Sequence, residues 1–172
     1  MDAMMSKEDV LKIIGPIFGK ICCRKQVGLI KSLTLGFGEK VYLEPTKLRE
    51  RLRDPYRGEW EIGTWNLCAW RVGRENEIIC GSNDSSDVKE LDRSIGQIEF
   101  GNLVELQELN KFDIRAVFDN GIYVDFLATI KASSEHDTFH VFCPNKIFVA
   151  YYAGKGWTAK KSNEGQLNKK IN

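Results

Sequence analysis

The stretch FDIRAVFDNGIYVDFLA, residues 112–128, decides the fold class, because its halves alternate apolar and polar residues around a turn sequence. A two-residue turn at Asn120-Gly121 places Ala116 opposite Asp125 and Ile114 opposite Leu127, and neither face is then cleanly apolar. A three-residue loop, Asp119-Asn120-Gly121, with glycine in the left-handed position, sorts the residues better. It sets Phe118 against Ile122, Ala116 against Val124, Ile114 against Phe126 and Phe112 against Ala128. The other face then pairs Arg115 with Asp125, a cross-strand pair of unlike charge. A one-residue slip exchanges the faces, so the pattern selects the three-residue loop.

Downstream, residues 138–143 and 147–152 flank Pro144-Asn145 as a second hairpin, and Trp157 closes the ordered part. Upstream, Val88, Leu91, Ile95 and Ile98 form one apolar stripe of a helix, with capping residues before it and Lys89, Glu90, Asp92 and Arg93 on its other side. Residues 59–72 read as one central strand covered on both faces. Trp60 and Ile62 share one parity, Trp65, Leu67 and Ala69 the other, and a bulge at Gly63 reconciles them. Gly73-Arg74-Glu75-Asn76 turns that strand back into Ile78-Ile79-Cys80. Leu33, Leu35 and Phe37 alternate as a half-buried strand, Gly36-Phe37-Gly38-Glu39 supplies a turn, and Val41-Tyr42-Leu43 returns. Residues 45–57 are a polar excursion. At the start, Ser6 caps a short helix with Glu8 and Asp9 in its first turn, and Gly15-Pro16 ends it near Ile14. The expected architecture is α+β: mainly antiparallel sheet of about eight or nine strands, as a meander or half-barrel, with two helices. Residues 1–159 form a single domain and 160–172 a polar tail.

A chain of 172 residues buries enough surface to dispense with disulfides or metals. Its net charge of +1 lacks the excess of Lys and Arg that a general nucleic-acid binder needs. No apolar run spans a bilayer, and residues 1–9 lack a signal-peptide pattern, so the expected place is the cytoplasm, with no membrane partner. The five cysteines, Cys22, Cys23, Cys68, Cys80 and Cys143, have no regular spacing and suit reduced, packed thiols.

No set of residues stands out as catalytic, and no metal or cofactor is expected. His136 and His140 are four apart in a turn and strand, too far for one ion, and read as surface or turn histidines. Cys143 beside His140 is the one nucleophile candidate, but no helix N-terminus lowers its pKa. Two features favour binding. Lys47, Arg49, Arg51, Arg53 and Arg57 form a basic run with Tyr56 beside it, and Arg and Tyr are typical interface anchors. Asp84 and Asp87 begin an acidic cluster at the second helix, which capping also explains. The candidate partner-binding residues are therefore Arg49, Arg53, Tyr56, Arg57, Asp84 and Asp87. Trp60, Trp65, Trp70 and Trp157 read mostly as core, and a ligand pocket lined by them is the second possibility.

GLIKSLTLGFGE at residues 28–39, then Trp60, Trp65, Cys68-Ala69-Trp70-Arg71, Gly81-Ser82-Asn83-Asp84 and Gly154-Lys155-Gly156-Trp157, resembles a bacterial group of small proteins. The resemblance runs from about Gly19 to Trp157, and Cys-Ala-Trp-Arg is its most specific part. Such proteins are often encoded beside polymorphic or contact-dependent toxins, which implies an immunity protein that occludes a cognate toxin. The resemblance transfers no catalytic residue. The chain departs from the group in its N-terminal helix and in the insert between Glu44 and Glu59. The alternative function is a small-molecule sensor or carrier with an aromatic-lined pocket; an enzyme ranks third.

Overall fold

A computed structural model describes residues 4–44, 54–65, 68–129, 131 and 136–162. The chain opens with α1 (Lys7–Ile14) and a 3-10 turn (Gly15–Ile17). Strands β1 (Cys22–Val27), β2 (Leu33–Tyr42), β3 (Tyr56–Gly63), β4 (Cys68–Arg74) and β5 (Glu77–Gly81) follow. After α2 (Val88–Gly96) come β6 (Leu103–Glu108), β7 (Ile114–Phe118), β8 (Ile122–Ala128), β9 (Phe139–Phe142), β10 (Ile147–Tyr152) and β11 (Gly156–Lys161). They form two antiparallel sheets: six strands in the order β1-β2-β3-β9-β10-β11, and five in the order β5-β4-β8-β7-β6. Among the described residues the class is α+β, with two helices and mostly strand, as the sequence implies. Among the described residues no helix is long and apolar enough to cross a membrane.

The β7–β8 hairpin takes the argued register. Ile114 pairs with Phe126, Arg115 with Asp125 and Ala116 with Val124. Its turn closes on the Gly121 N–H, which donates to Phe118 O at 3.2 Å with Gly121 at φ +81°. Phe112 departs from expectation. The strand starts at Ile114, Phe112 is exposed, and the Ala128 N–H is taken by Asp113 Oδ1 at 2.9 Å.

One apolar core joins the sheets face to face. Phe37 stacks on Phe118 at 6.1 Å, and Phe126 lies 5.0 Å from Phe139, each pair with one ring from either sheet. The Trp70 indole donates to Lys31 O at 2.8 Å, tying β4 to the β1–β2 turn. α2 is capped by Asp87, whose side chain accepts from the Lys89 N–H at 2.9 Å. Its buried Leu91 and Ile95 lie on the side where β1 and β5 end the two sheets. α1, capped by Ser6, buries Val10 and Ile14 and lies against β11.

Among the described residues the expected antiparallel sheet is built of eleven strands in two stacked sheets. Several finer expectations are corrected. Gly36-Phe37-Gly38-Glu39 is not a turn but lies inside the ten-residue β2. The pairing with β3 jumps from Phe37↔Trp60 to Lys40↔Gly58, so β2 carries a bulge, with Gly38 at φ +78°. Residues 59–72 are not one strand either. β3 belongs to the six-stranded sheet and β4 to the five-stranded one. Trp60 and Ile62 enter the core from one side, Trp70 and Val72 from the other. The parity switch marks a change of sheet rather than a bulge. Trp65, between them, is exposed instead of core. β11 also runs through Lys161, two residues into the stretch assigned to the tail.

Candidate functional site

The sequence-predicted partner residues divide. Arg49 and Arg53 lie outside the described residues, as do Lys47 and Arg51. Tyr56 and Arg57 begin β3. The Tyr56 ring meets Tyr42 edge to face at 5.7 Å, carries the Lys40 ammonium 4.5 Å above it, and its hydroxyl donates to Cys23 O at 3.4 Å. Tyr42 is 73% exposed. Asp84 and Asp87 belong to the other sheet's β5–α2 connection, and both carboxylates serve the local backbone. Asp84 accepts from the Gly81 N–H at 2.8 Å, and Asp87 caps α2.

Cys143 and His140 do not form a dyad. They are three residues apart on β9 and its end, so their side chains leave opposite faces of the sheet. Burial pushes the Cys143 thiol up to about 12, and burial chiefly does the same for Cys22 and Cys68, with Cys80 at about 11. None presents a thiolate near neutral pH. His136 is exposed while His140 is buried, so the two histidines do not converge, and His140 is not the surface residue expected. Among the described residues no three His, Cys, Asp or Glu are grouped to hold a metal ion.

The strand pairings instead assemble a polar cluster on the face of the six-stranded sheet turned away from the core. Two cross-strand rows run over β1, β2, β3, β9, β10 and β11. One reads Gln26, Thr34, Gly63, His140, Ala150, Thr158, and the next Arg24, Gly36, Glu61, Phe142, Phe148, Lys160. Four polar side chains in these rows, Arg24, Gln26, His140 and Thr158, are buried. Arg24 crosses Gly36, where any Cβ would come within 3.1 Å of the Arg24 Cβ. Its Nη1 lies 2.8 Å from Glu61 Oε1 and its Nη2 donates to Gln26 Oε1. His140 Nδ1 meets Asp137 Oδ2 at 2.9 Å. Trp65, Phe142 and Phe148 surround the imidazole at centroid distances of 4.8, 5.2 and 5.5 Å.

The electrostatics of the cluster centre on Glu61. Burial raises its pKa, against Arg24, Arg57 and His140, which all pull it down. Among the described residues, Nε of Arg24 and Nε of Arg57 are buried without a hydrogen-bond partner. Such donors carry a desolvation cost that a ligand acceptor or water relieves. Sequence reading passed over Arg24, Gln26, Glu61 and His140 as a set. The usable signal was the period-two spacing of Arg24 with Gln26, Glu61 with Gly63 and His140 with Phe142, but only the tertiary strand order makes those pairs neighbours.

A second constellation sits on the outer face of the five-stranded sheet. The wholly buried Asp125 carboxylate accepts from Arg115 Nε at 2.6 Å and from Arg71 Nε at 2.8 Å. Arg115 also stacks 3.9 Å over the Tyr123 ring. The Arg115–Asp125 pairing is as argued from the hairpin; Arg71, from the Cys-Ala-Trp-Arg segment, is the third member that the sequence did not reveal. No protein-family model matches the chain, and neither a curated protein nor a solved structure matches it.

Proposed function

We propose that the chain is an immunity protein of the bacterial cytoplasm, which binds one cognate toxin and neutralises it by covering its active site or an essential surface. The observation that carries this reading is the exposed end of β2 and β3. Tyr42, Tyr56 and Lys40 cluster there, and the adjoining segment of the sequence holds Arg49, Arg51 and Arg53. Tyr and Arg supply large, desolvated anchors at interface centres, and a stable interface covers roughly 800 Å² per partner. The positive charge there suits an acidic toxin surface and speeds encounter with it. Non-catalytic action is supported by the separation of Cys143 from His140 and by thiols held protonated.

The test is direct. The product of the gene beside this one is expressed in a bacterial host, with and without this chain, and the two proteins are co-purified. Restored growth and a stoichiometric complex support the reading. Growth arrest unrelieved by this chain, with no complex, removes it.

A further inference from the structure

The distal part of β2 has an open backbone edge, which the immunity reading does not use. We propose that this edge pairs with the same edge of a second copy of the chain, strand to antiparallel strand about a twofold axis, through residues 40–44.

The neighbouring strands leave that edge uncovered. β1 follows β2 only as far as Cys22↔Phe37, and the Gly38 N–H still donates to Ile21 O at 3.1 Å. Beyond that point β2 pairs with β3 alone, Lys40 with Gly58, Val41 with Arg57 and Tyr42 with Tyr56. β9 in turn joins β3 only at Glu61, Ile62 and Gly63. Among the described residues, 40–42 and 56–58 therefore form a two-stranded ribbon with no third strand beside it. The Leu43 N–H donates to Pro55 O at 3.1 Å. The antiparallel alternation thus turns the peptide groups of Val41 and Leu43 toward β3, and those of Lys40 and Tyr42 outward. Among the described residues no backbone group bonds to Lys40 or Tyr42 on the outward side. Lys40, Val41, Tyr42 and Glu44 are exposed. Such an edge is a template for another strand.

The occupant follows from the residues on the edge, which complement themselves. A twofold ladder sets outward-pointing residues against one another. Within residues 38–44, keeping both Lys40 and Tyr42 paired leaves three centres. Centred on Lys40, two ammonium groups face each other. Centred on Val41, Glu39 faces Leu43 and no charge is paired. Centred on Tyr42, Lys40 faces the second copy's Glu44 at either end, and Val41 faces Leu43 on the other side of the ribbon. The two Tyr42 residues then meet at the axis. Lysine on an open edge ordinarily keeps other strands away, but here Glu44 stands where the twofold brings the second lysine. The joined ribbons form four strands, with Tyr42 and Tyr56 of both copies on one face, so the tyrosine patch is widened rather than covered. Five residues per copy are far fewer than the roughly 20–30 of a standard interface, so the dimer is weak.

Sedimentation velocity of the full-length chain alone, at low salt and loadings from about 5 to about 500 µM, tests this, with a dissociation constant on the order of 100 µM expected. Because no toxin is involved, failure here leaves the immunity reading standing. Lys40→Glu and Glu44→Lys, each checked for a cooperative melt, place like charges opposite and weaken self-association at least about ten-fold. The double variant Lys40→Glu/Glu44→Lys exchanges the charges and restores it. An equimolar mixture of the two single variants also associates, because each supplies the charge the other lacks. A chain that stays monomeric throughout the range overturns the proposal. So does association that neither single reversal weakens, or a mixture no more associated than its components.

Discussion

Arg115 grips both oxygens of Asp125, with Nε 2.6 Å from Oδ1 and Nη2 3.0 Å from Oδ2, although the carboxylate is wholly removed from solvent. A buried carboxylate is tolerable only because Arg115 and Arg71 together meet its oxygens. The pair joins the central strands of the five-stranded sheet, so register, charge and burial agree at one point of the fold.

Removing the aspartate and removing one arginine therefore have unequal effects. Asp125→Ala leaves Arg115 and Arg71 without the carboxylate they surround and costs about 3 kcal/mol. Arg71→Ala, at a side chain 41% exposed that leaves Arg115 in place, costs about 1 kcal/mol. Urea denaturation with a common slope measures both. Equal losses contradict the view that Asp125 is held chiefly by Arg115.

The thiols give a chemical readout. With Cys143, Cys22 and Cys68 raised to about 12, roughly one in ten thousand of each is ionised at pH 8, against about a quarter of an unperturbed thiol. Iodoacetamide at pH 8 is expected to leave these three unmodified in the native protein over times that label all five in urea. Mass spectrometry of the digested protein reads it site by site. Rapid native labelling of Cys143 argues for an activated thiol and against a purely binding role.

Glu61 sets a pH dependence with a definite sign. Its pKa lies above the ordinary carboxyl value in the folded state, because burial disfavours the charged form. The folded protein thus binds a proton more tightly than the unfolded chain does. Stability from this group is present below the unfolded value and declines as pH rises through the folded one. Wild type should accordingly gain stability relative to Glu61→Gln as pH is lowered from neutral toward 4.5. Paired denaturation curves at several pH values check the trend, and a difference that stays constant or moves the other way contradicts it.

The elements that could be read in the sequence were those whose partner is nearby in the chain. The β7–β8 register follows from two adjoining segments and their turn, and α2 from an uninterrupted stripe beginning at Val88. β1, β6 and β11 were missed for a common reason. Each lies at a sheet edge, and their sequences, CCRKQV, LVELQE and GWTAKK, mix charge with apolar residues without a clean alternation. Arg24 on β1 meets Glu61 on β3, 37 residues away, and no local periodicity announces its burial. The passage at Gly63 was misread because a bulge and a change of sheet both reverse parity. Only the site's ingredients were visible, in Tyr56, Arg57 and His140; their sorting into an exposed patch and a buried cluster needed the strand order.

The claim that the chain acts by gripping a partner is tested most directly by isothermal titration of the neighbouring gene's purified product into wild type and into the Tyr42→Ala/Tyr56→Ala double variant. Tight one-to-one binding by wild type is predicted, weakened at least about a hundred-fold in a double variant that still melts cooperatively, as loss of two anchor residues implies. Undiminished affinity in that folded variant would place the interface elsewhere, and no heat of binding with wild type would contradict the account itself.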